Sequence, residues 1–325
     1  MKNKILFVSP RNSSFFIPIK HALTKLGMDV FTFDYLKPDV MSRMLGIISN
    51  LLNSKRFKIL RNNRINHQLI KKIKILKPNY FFTVKGEVFY PKTIEQINSL
   101  GIITINWYPD NLVLWQNLIK TAKTYKYFFS VCTMLTTKLN QTGRKTYYLP
   151  VAGQADIKII QTPKIYDIVF AGHRTQKRIN YFSEICDLNF NLWGYPHWKH
   201  TIMAPYYRNY LPVNRMQNIF RQAKIVINVL TGEKGIPINT ANLRNFEATG
   251  VGTFILSEYC PALAKLFIED QEMVFFRNKK ELRQKAIYYL KRDKERERIA
   301  KNGWLKTRKD HTYIMRFNEM FSIIK

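Results

Sequence analysis

Short apolar runs recur along the chain, each closed by Gly, Pro or a polar cluster, with stretches of helical periodicity between most of them. Residues 4–9 form the first run, apolar up to a serine and then Pro10, as in a strand buried on both faces of a parallel sheet. Residues 14–26 read as a helix closed by Gly27. Further strands are expected at 29–33, 80–84, 102–107, 127–131 and 146–149. At 150–165 the pattern weakens among Pro150, Gly153 and Pro163, then restarts. Strands follow at 166–172, 189–194, 224–229, 252–256 and 272–276. Helices are expected at 175–187, 213–222, 240–249, 261–267, 279–301 and after His311. Strands alternating with helices imply βαβ units and parallel sheets, here two α/β domains over 1–150 and 151–325.

Composition supports a packed protein: 46% of the residues are hydrophobic and 14% aromatic, too many for a disordered chain. Three cysteines, Cys132, Cys186 and Cys260, are too few and too scattered for a disulfide framework or a zinc knuckle. The first apolar run is too short for a signal peptide, and nothing reaches the roughly 20 apolar residues of a membrane span. A cytoplasmic protein is expected, with any membrane contact peripheral.

Charge changes the picture. The 325 residues carry 53 Lys+Arg against 22 Asp+Glu, a formal charge of +31, which favours an anionic partner: nucleic acid, phosphorylated substrate or lipid headgroups. Eleven Lys or Arg fall between Arg43 and Lys85, and no acid occurs between Asp39 and Glu87. The same stretch holds the apolar residues Met44, Ile47, Ile48, Leu51 and Leu52. Apolar and cationic residues so combined suit an anionic membrane surface, and equally a solvated helical face.

Open parallel sheets bind ligands at the carboxyl ends of their strands. Neither GxGxxG after the first strand nor GxxxxGK[ST] is present, so hydride transfer and P-loop chemistry lose support. The strand at 166–170 leads into Ala171-Gly172-His173-Arg174-Thr175-Gln176-Lys177-Arg178. There Gly172 would let backbone approach a ligand. Arg174, Lys177 and Arg178 would meet a diphosphate at the start of a helix; a merely basic loop is the alternative. A second cluster, residues 240–252, places Arg244 and Glu247 on one helix face, with Gly250 and Gly252 ending the helix. Glu247 is suited to a ribose diol or to a surface pair with Arg244. Asp110, in Trp107-Tyr-Pro-Asp110, is a candidate base for an acceptor hydroxyl, or a turn residue. Trp107 and Tyr108 could stack on a sugar, and Tyr195 on a donor base. His197 and His200 lack the companions a metal site requires.

The run Arg244-Asn-Phe-Glu-Ala-Thr-Gly, with Leu256-Ser-Glu-Tyr-Cys-Pro261, Glu297-Arg-Ile-Ala300, Gly303 and His311-Thr-Tyr-x-x-Arg316, resembles the CgeB-like (spore maturation protein type) glycosyltransferases, relatives of the group 1 glycosyltransferases. The likeness is close over 210–320, looser over 166–194 and thin before that. It implies a GT-B fold: two Rossmann-like domains facing across a cleft, the first binding the acceptor and the second the nucleotide-sugar, with the last helix, about 311–325, returning to the first. Donor-site candidates are then Gly172, Arg174, Lys177, Arg178, Tyr195, Asn239, Asn242, Arg244 and Glu247, with no cofactor and no metal. The Glu-x7-Glu pattern of retaining members is broken, since Asn239 stands eight positions before Glu247. That leaves stereochemistry open and raises a non-catalytic relative as a reading. A surface glycan or lipid-linked saccharide is the expected acceptor; nucleic-acid binding, or a glycosyltransferase that modifies DNA bases, is the alternative.

Overall fold

The computed structural model describes residues 3–36, 39–110, 115–154, 158–231 and 239–324. Its chain divides into two compact units, Met1–Pro150 with Phe317–Lys325, and Val151–Arg316.

In the first unit the elements run β1 (Lys4–Val8), α1 (Phe16–Lys25), β2 (Asp29–Phe33), α2 (Val40–Leu51), α3 (Lys55–Leu76), β3 (Tyr80–Val84) and α4 (Pro91–Ser99). They continue with β4 (Ile103–Tyr108), α5 (Trp115–Thr124), β5 (Tyr127–Ser130), α6 (Thr133–Gln141) and β6 (Thr146–Tyr148). All six strands are parallel, in the order β2-β1-β3-β4-β5-β6. Ile5 to Val8 are wholly buried, which explains why β1 is apolar throughout rather than alternating. The order reverses between β1 and β3, a point where such sheets open a crevice. Trp107 and Tyr108 are each 1% exposed and belong to this core, so neither stacks on a ligand. Trp107 Nε1 donates to the Leu149 carbonyl at 3.0 Å.

The second unit holds β7 (Tyr166–Ala171), α7 (Gln176–Phe182), β8 (Phe190–Trp193), two 3-10 turns (Pro196–His200 and Ala204–Tyr206), β9 (Tyr207–Asn209), α8 (Val213–Arg221) and β10 (Ala223–Asn228). After these come α9 (Leu243–Gly250), β11 (Ile255–Glu258), α10 (Pro261–Ala264), β12 (Val274–Phe276), α11 (Lys279–Leu290), α12 (Asp293–Asp310) and α13 (Tyr313–Ile323). The parallel order β12-β11-β10-β7-β8-β9 is that of a dinucleotide-binding Rossmann sheet, with its reversal between β7 and β10. Its core is assembled from Ile168, Phe170, Phe182, Leu192, Trp198, Ile225, Ile227, Leu256 and Val274.

Several expected boundaries move. The helix expected over 279–301 is two, broken at Lys291 and Arg292, and β9 carries no apolar run to announce it. Gly250 lies inside α9; Gly252, at φ +73°, makes the turn into β11. The closing helix α13 starts in the second unit. Its later residues belong to the first, where Phe317 meets Phe82 and Trp107 edge-on and Phe321 meets Tyr80. His311 is buried as a neutral imidazole, its pKa driven down to about 4 by burial. Its Nε2 lies 3.0 Å from the Leu266 carbonyl and its Nδ1 2.9 Å from Arg316.

Candidate active site

The reversal between β7 and β10 is bridged by one side chain. From the first turn of α9, Arg244 donates to the Ala171 carbonyl at the end of β7 and, at 2.8 Å, to Asn228 Oδ1 at the end of β10. Its guanidinium also lies over the Phe170 ring, 4.4 Å from the centroid. Asn228 is the hub of a polar network. Its Oδ1 accepts from Asn242 at 2.9 Å, and its amide donates to Asn245 and to Ser257 of β11, both at 3.0 Å. Asn242 stands at the N-cap position of α9, so the network fixes that helix start against three strand ends.

Three polar groups on this segment have no hydrogen-bond partner among the described residues. Arg244 Nε and Thr240 Oγ1 are buried without a hydrogen bond. The Glu247 carboxylate, one turn along α9 from Arg244, forms no hydrogen bond or ion pair among the described residues. Burial pushes the Glu247 pKa up to about 7, against the pull of the Arg244 charge. Burial likewise brings Arg244 down to about 10, with Glu247 opposing. Glu247 is therefore a partly buried carboxylate rather than a fully exposed one, and it is not spent on a salt bridge to Arg244. Buried polar groups are nearly always satisfied, so the orphaned Arg244 Nε and Thr240 Oγ1, on the same segment as a partly buried Glu247, mark a candidate place for a ligand.

The basic loop after β7 divides. Arg174 is exposed, with no partner among the described residues. Lys177 is paired with Glu258 at 2.6 Å, whose second oxygen accepts from the Leu230 N–H at 3.0 Å. Arg178 is 5% exposed and turned inward. It donates twice to the Val229 carbonyl (3.0 and 3.1 Å) and once to that of His173 (2.8 Å), and burial beside Arg244 takes it down to about 9. Arg178 and Lys177 thus hold the strand ends together, and Arg174 is the cation left facing outward. Gly172 also has a different reason from the expected one. A Cβ there would strike the Arg244 guanidinium and the Phe170 ring, and its N–H already donates to Trp193 at 2.9 Å.

Beside this loop the Tyr195 ring stacks on His173, 5.0 Å between centroids and 14° between planes, with Tyr195 47% exposed. Burial, then Arg178 and Arg244, lower the His173 pKa, and the Tyr195 ring also meets that of Tyr210, 5.4 Å between centroids. Asn239 serves a helix start: its Oδ1 accepts from the Ala262 N–H at 2.7 Å, in the first turn of α10. Of the residues predicted from sequence, Asn242, Arg244 and Glu247 share one cluster with Gly172, while Arg174 and Tyr195 flank it. Asn228, Thr240, Ser257 and His173 were not foreseen. Their signal, polar residues closing apolar strands, is faint next to the Arg and Glu of a helix.

In the first unit, Asp110 follows β4 and pairs with Lys85 Nζ at 2.7 Å; Glu87 lies 3.7 Å from the same ammonium. Burial weakens the Lys85 charge, but the hydrogen bond and charge of Asp110, with Glu87, outweigh it and raise its pKa. Lys85 and Gly86 both take left-handed backbone (φ +70° and +73°), which turns Lys85 back toward Asp110. Nearby, at the ends of β1 and β2, a cavity of about 530 Å³ is lined by Arg11, Asn12, Asp34, Leu36, Arg43 and Lys72. Among the described residues no three His, Cys, Asp or Glu side chains gather as metal ligands.

Residues 166–322 match the family model described as glycosyl transferase-like. A search of curated protein sequences finds no match. Among solved structures, the chain is similar to sucrose-phosphate synthase of Thermosynechococcus elongatus, with a TM-score of 0.67, 10% identity, and 99% of this chain and 98% of that one covered. It is also similar to an alpha-glucosyltransferase solved with UDP and a 13-mer DNA containing an HMU base, with a TM-score of 0.66, 10% identity and full coverage of both. HepE of Anabaena, solved with UDP-glucose, aligns with a TM-score of 0.64, 10% identity and 99% coverage of each chain. At such identities the likeness is one of fold: two Rossmann-like units with parallel sheets, the GT-B architecture, with the glycosyl transferase-like match lying over the second.

Proposed function

We propose that the protein is a glycosyltransferase that takes a sugar from a nucleotide-sugar donor bound by the second unit and passes it to a hydroxyl acceptor. The observation that carries this is the pair of orphaned atoms, Thr240 Oγ1 and Arg244 Nε, with the unpaired carboxylate of Glu247 beside the β7–β10 reversal, where a Rossmann sheet binds a nucleotide. Glu247, once ionised, accepts hydrogen bonds from a ribose diol. The free Arg244 Nε–H and the Thr240 hydroxyl meet oxygens of the same ligand. Arg174 and the first backbone N–H groups of α9 face the diphosphate and favour the leaving group as its charge grows. Side chains of this kind do the work a metal ion would otherwise do. The Tyr195–His173 pair offers a stacking platform for the base.

On the acceptor side, the reading rests on the Lys85–Asp110–Glu87 cluster and the basic cavity above β1 and β2. Asp110 or Glu87 takes the proton from the attacking hydroxyl, and the cavity suits an acceptor bearing phosphate or another anion. Taken with the motif string from Arg244 to Arg316, this supports an enzyme of the CgeB type acting on a surface glycan or a lipid-linked saccharide. Transfer to a DNA base is the second reading, favoured by the charge of +31.

A thermal-shift screen across UDP-, GDP-, ADP-, CMP- and dTDP-sugars tests the donor site, followed by mass spectrometry of candidate acceptors with the best donor. A shift with one nucleotide class that vanishes in Glu247→Ala is expected. No shift with any of them would refute the donor site. A shift without transfer or donor hydrolysis would make the chain a binding relative, in keeping with its Asn239.

A further inference from the structure

The helical hairpin formed by α2 and α3 is not built like the rest of the first unit. Of the twelve residues of α2 only Ser42 is buried, although seven of them are apolar. Val40, Met44, Ile47 and Leu51, spaced four, three and four apart, fall on one stripe and are 66%, 50%, 60% and 78% exposed. Leu52, Ile59 and Leu60 extend the apolar surface across the tip of the hairpin, at 64%, 54% and 45%. A patch of this kind on a folded protein calls for a partner.

The helix is nevertheless firmly placed. Asp39 caps it, accepting from the Ser42 N–H at 2.7 Å, and also takes Arg64 of α3 at 3.0 Å. Gly46 lets α2 approach α3 closely: a Cβ there would lie 3.2 Å from Arg61 Nε. Ile48 is partly buried, whereas Ile47 points away. The apolar stripe is therefore held outward by the fold.

Its surroundings identify what covers it. Arg43, Lys55, Lys58 and Arg61 line the groove beside Ile47, and residues 40–86 contain no acid. A second copy of the chain would bring like charges together. Duplex nucleic acid would use the cations and leave the stripe in water. A bilayer with anionic headgroups uses both, apolar side chains entering the acyl boundary while long cationic side chains reach the phosphates. The groove between the two helices is lined by Leu36 and Arg43, which also line the basic cavity at the ends of β1 and β2.

We propose that the α2–α3 hairpin docks the protein on an anionic membrane surface, with Val40, Met44, Ile47, Leu51 and Leu52 as the inserted residues. This stands on exposure and charge and does not depend on the transfer reading.

The test is cosedimentation of the full chain with vesicles of phosphatidylglycerol and phosphatidylcholine, or of phosphatidylcholine alone. Binding to the mixed vesicles only is expected, weakened about tenfold or more by about 0.5 M salt, where charges are screened within a few ångströms. Ile47→Asp with Leu51→Asp should weaken it at least as much. Both residues are exposed, so the melting temperature and the donor-induced thermal shift should not change. Failure here thus leaves the transfer reading intact, and the reverse. The proposal is overturned by no pelleting at low salt or by pelleting indifferent to the double variant. It is equally overturned by a dimer that the double variant dissociates, or by duplex DNA binding that alone accounts for the salt dependence.

Discussion

At the scale of single residues, Glu247 concentrates the argument, because its environment is unfavourable to the charge its role requires. An upward move from 4.5 to about 7 means that the folded protein holds this proton longer than the unfolded chain does. The resulting penalty is absent below pH 4.5, grows between 4.5 and 7, and is complete above 7, amounting to at most roughly 3 kcal/mol. Glu247→Gln removes the titration. The stability of this variant relative to the parent should therefore rise by about 1–3 kcal/mol between pH 5 and pH 8, measured by urea unfolding at both. Donor affinity should move the other way. In the parent it improves from pH 6 to pH 8 as the carboxylate ionises. In the variant it is weaker by about 1.5–3 kcal/mol at pH 8, the range for charge-assisted hydrogen bonds, and flat with pH. A parallel stability profile for the two proteins would mean that Glu247 is solvated and ionised throughout. Stability given up for a poised ligand group is a common feature of functional sites.

At the scale of elements, two glycines separate site from scaffold. Gly172 lies where β7 ends against the Arg244 guanidinium, and Gly303 of α12 lies against the backbone carbonyl of Glu272. An added methyl must displace Arg244 in the first case and a backbone carbonyl in the second. Gly172→Ala should lower donor affinity about tenfold or more while the protein stays folded, since Arg244 bridges β7 to β10. Gly303→Ala should cost about 1–3 kcal/mol of stability with donor affinity unchanged. Calorimetry and thermal melts on both variants decide it; equal effects on binding would deny Arg244 its bridging role. Elements were also where the sequence was most readable. Buried parallel strands such as Lys4–Val8 are apolar from end to end, and turn residues punctuate them. The edge strand Tyr207–Asn209 is exposed and polar, so no such signal exists. The break at Lys291 and Arg292 was hidden because helix-forming residues run through it. In the site, charge was legible but direction was not. Arg178 and Arg174 look alike in sequence, yet one is drawn onto two carbonyls beneath the loop and the other faces outward. Asn228 was invisible because its importance comes from the four groups the fold gathers around it.

At the scale of the whole molecule, the chemistry is divided between units that differ in what they offer. The second unit supplies orphaned polar groups at the β7–β10 reversal. The first supplies a carboxylate pair around Lys85, a basic cavity and the cationic hairpin. If donor and acceptor functions are separable in this way, variants in the first unit should leave donor binding alone and change turnover. Asp110→Asn and Glu87→Gln are the informative pair. Both carboxylates contact the same ammonium, and replacing either leaves Lys85 with the other. The residue that takes the acceptor proton should lose about 10²–10⁴ in kcat, the usual contribution of a general base, with the donor KM nearly constant. The other should lose much less, through a small rise in the acceptor KM as Lys85 shifts. Donor hydrolysis in the absence of acceptor supplies a second readout, because water needs less help from a base whose place is set by the acceptor. The expected pattern is therefore loss of transfer in one variant with hydrolysis and donor affinity preserved. If both variants transfer at the parent rate, the acceptor proton goes elsewhere, and Lys85, Asp110 and Glu87 only brace the turn after β3. If donor affinity collapses in either, the division of labour between the two units is wrong.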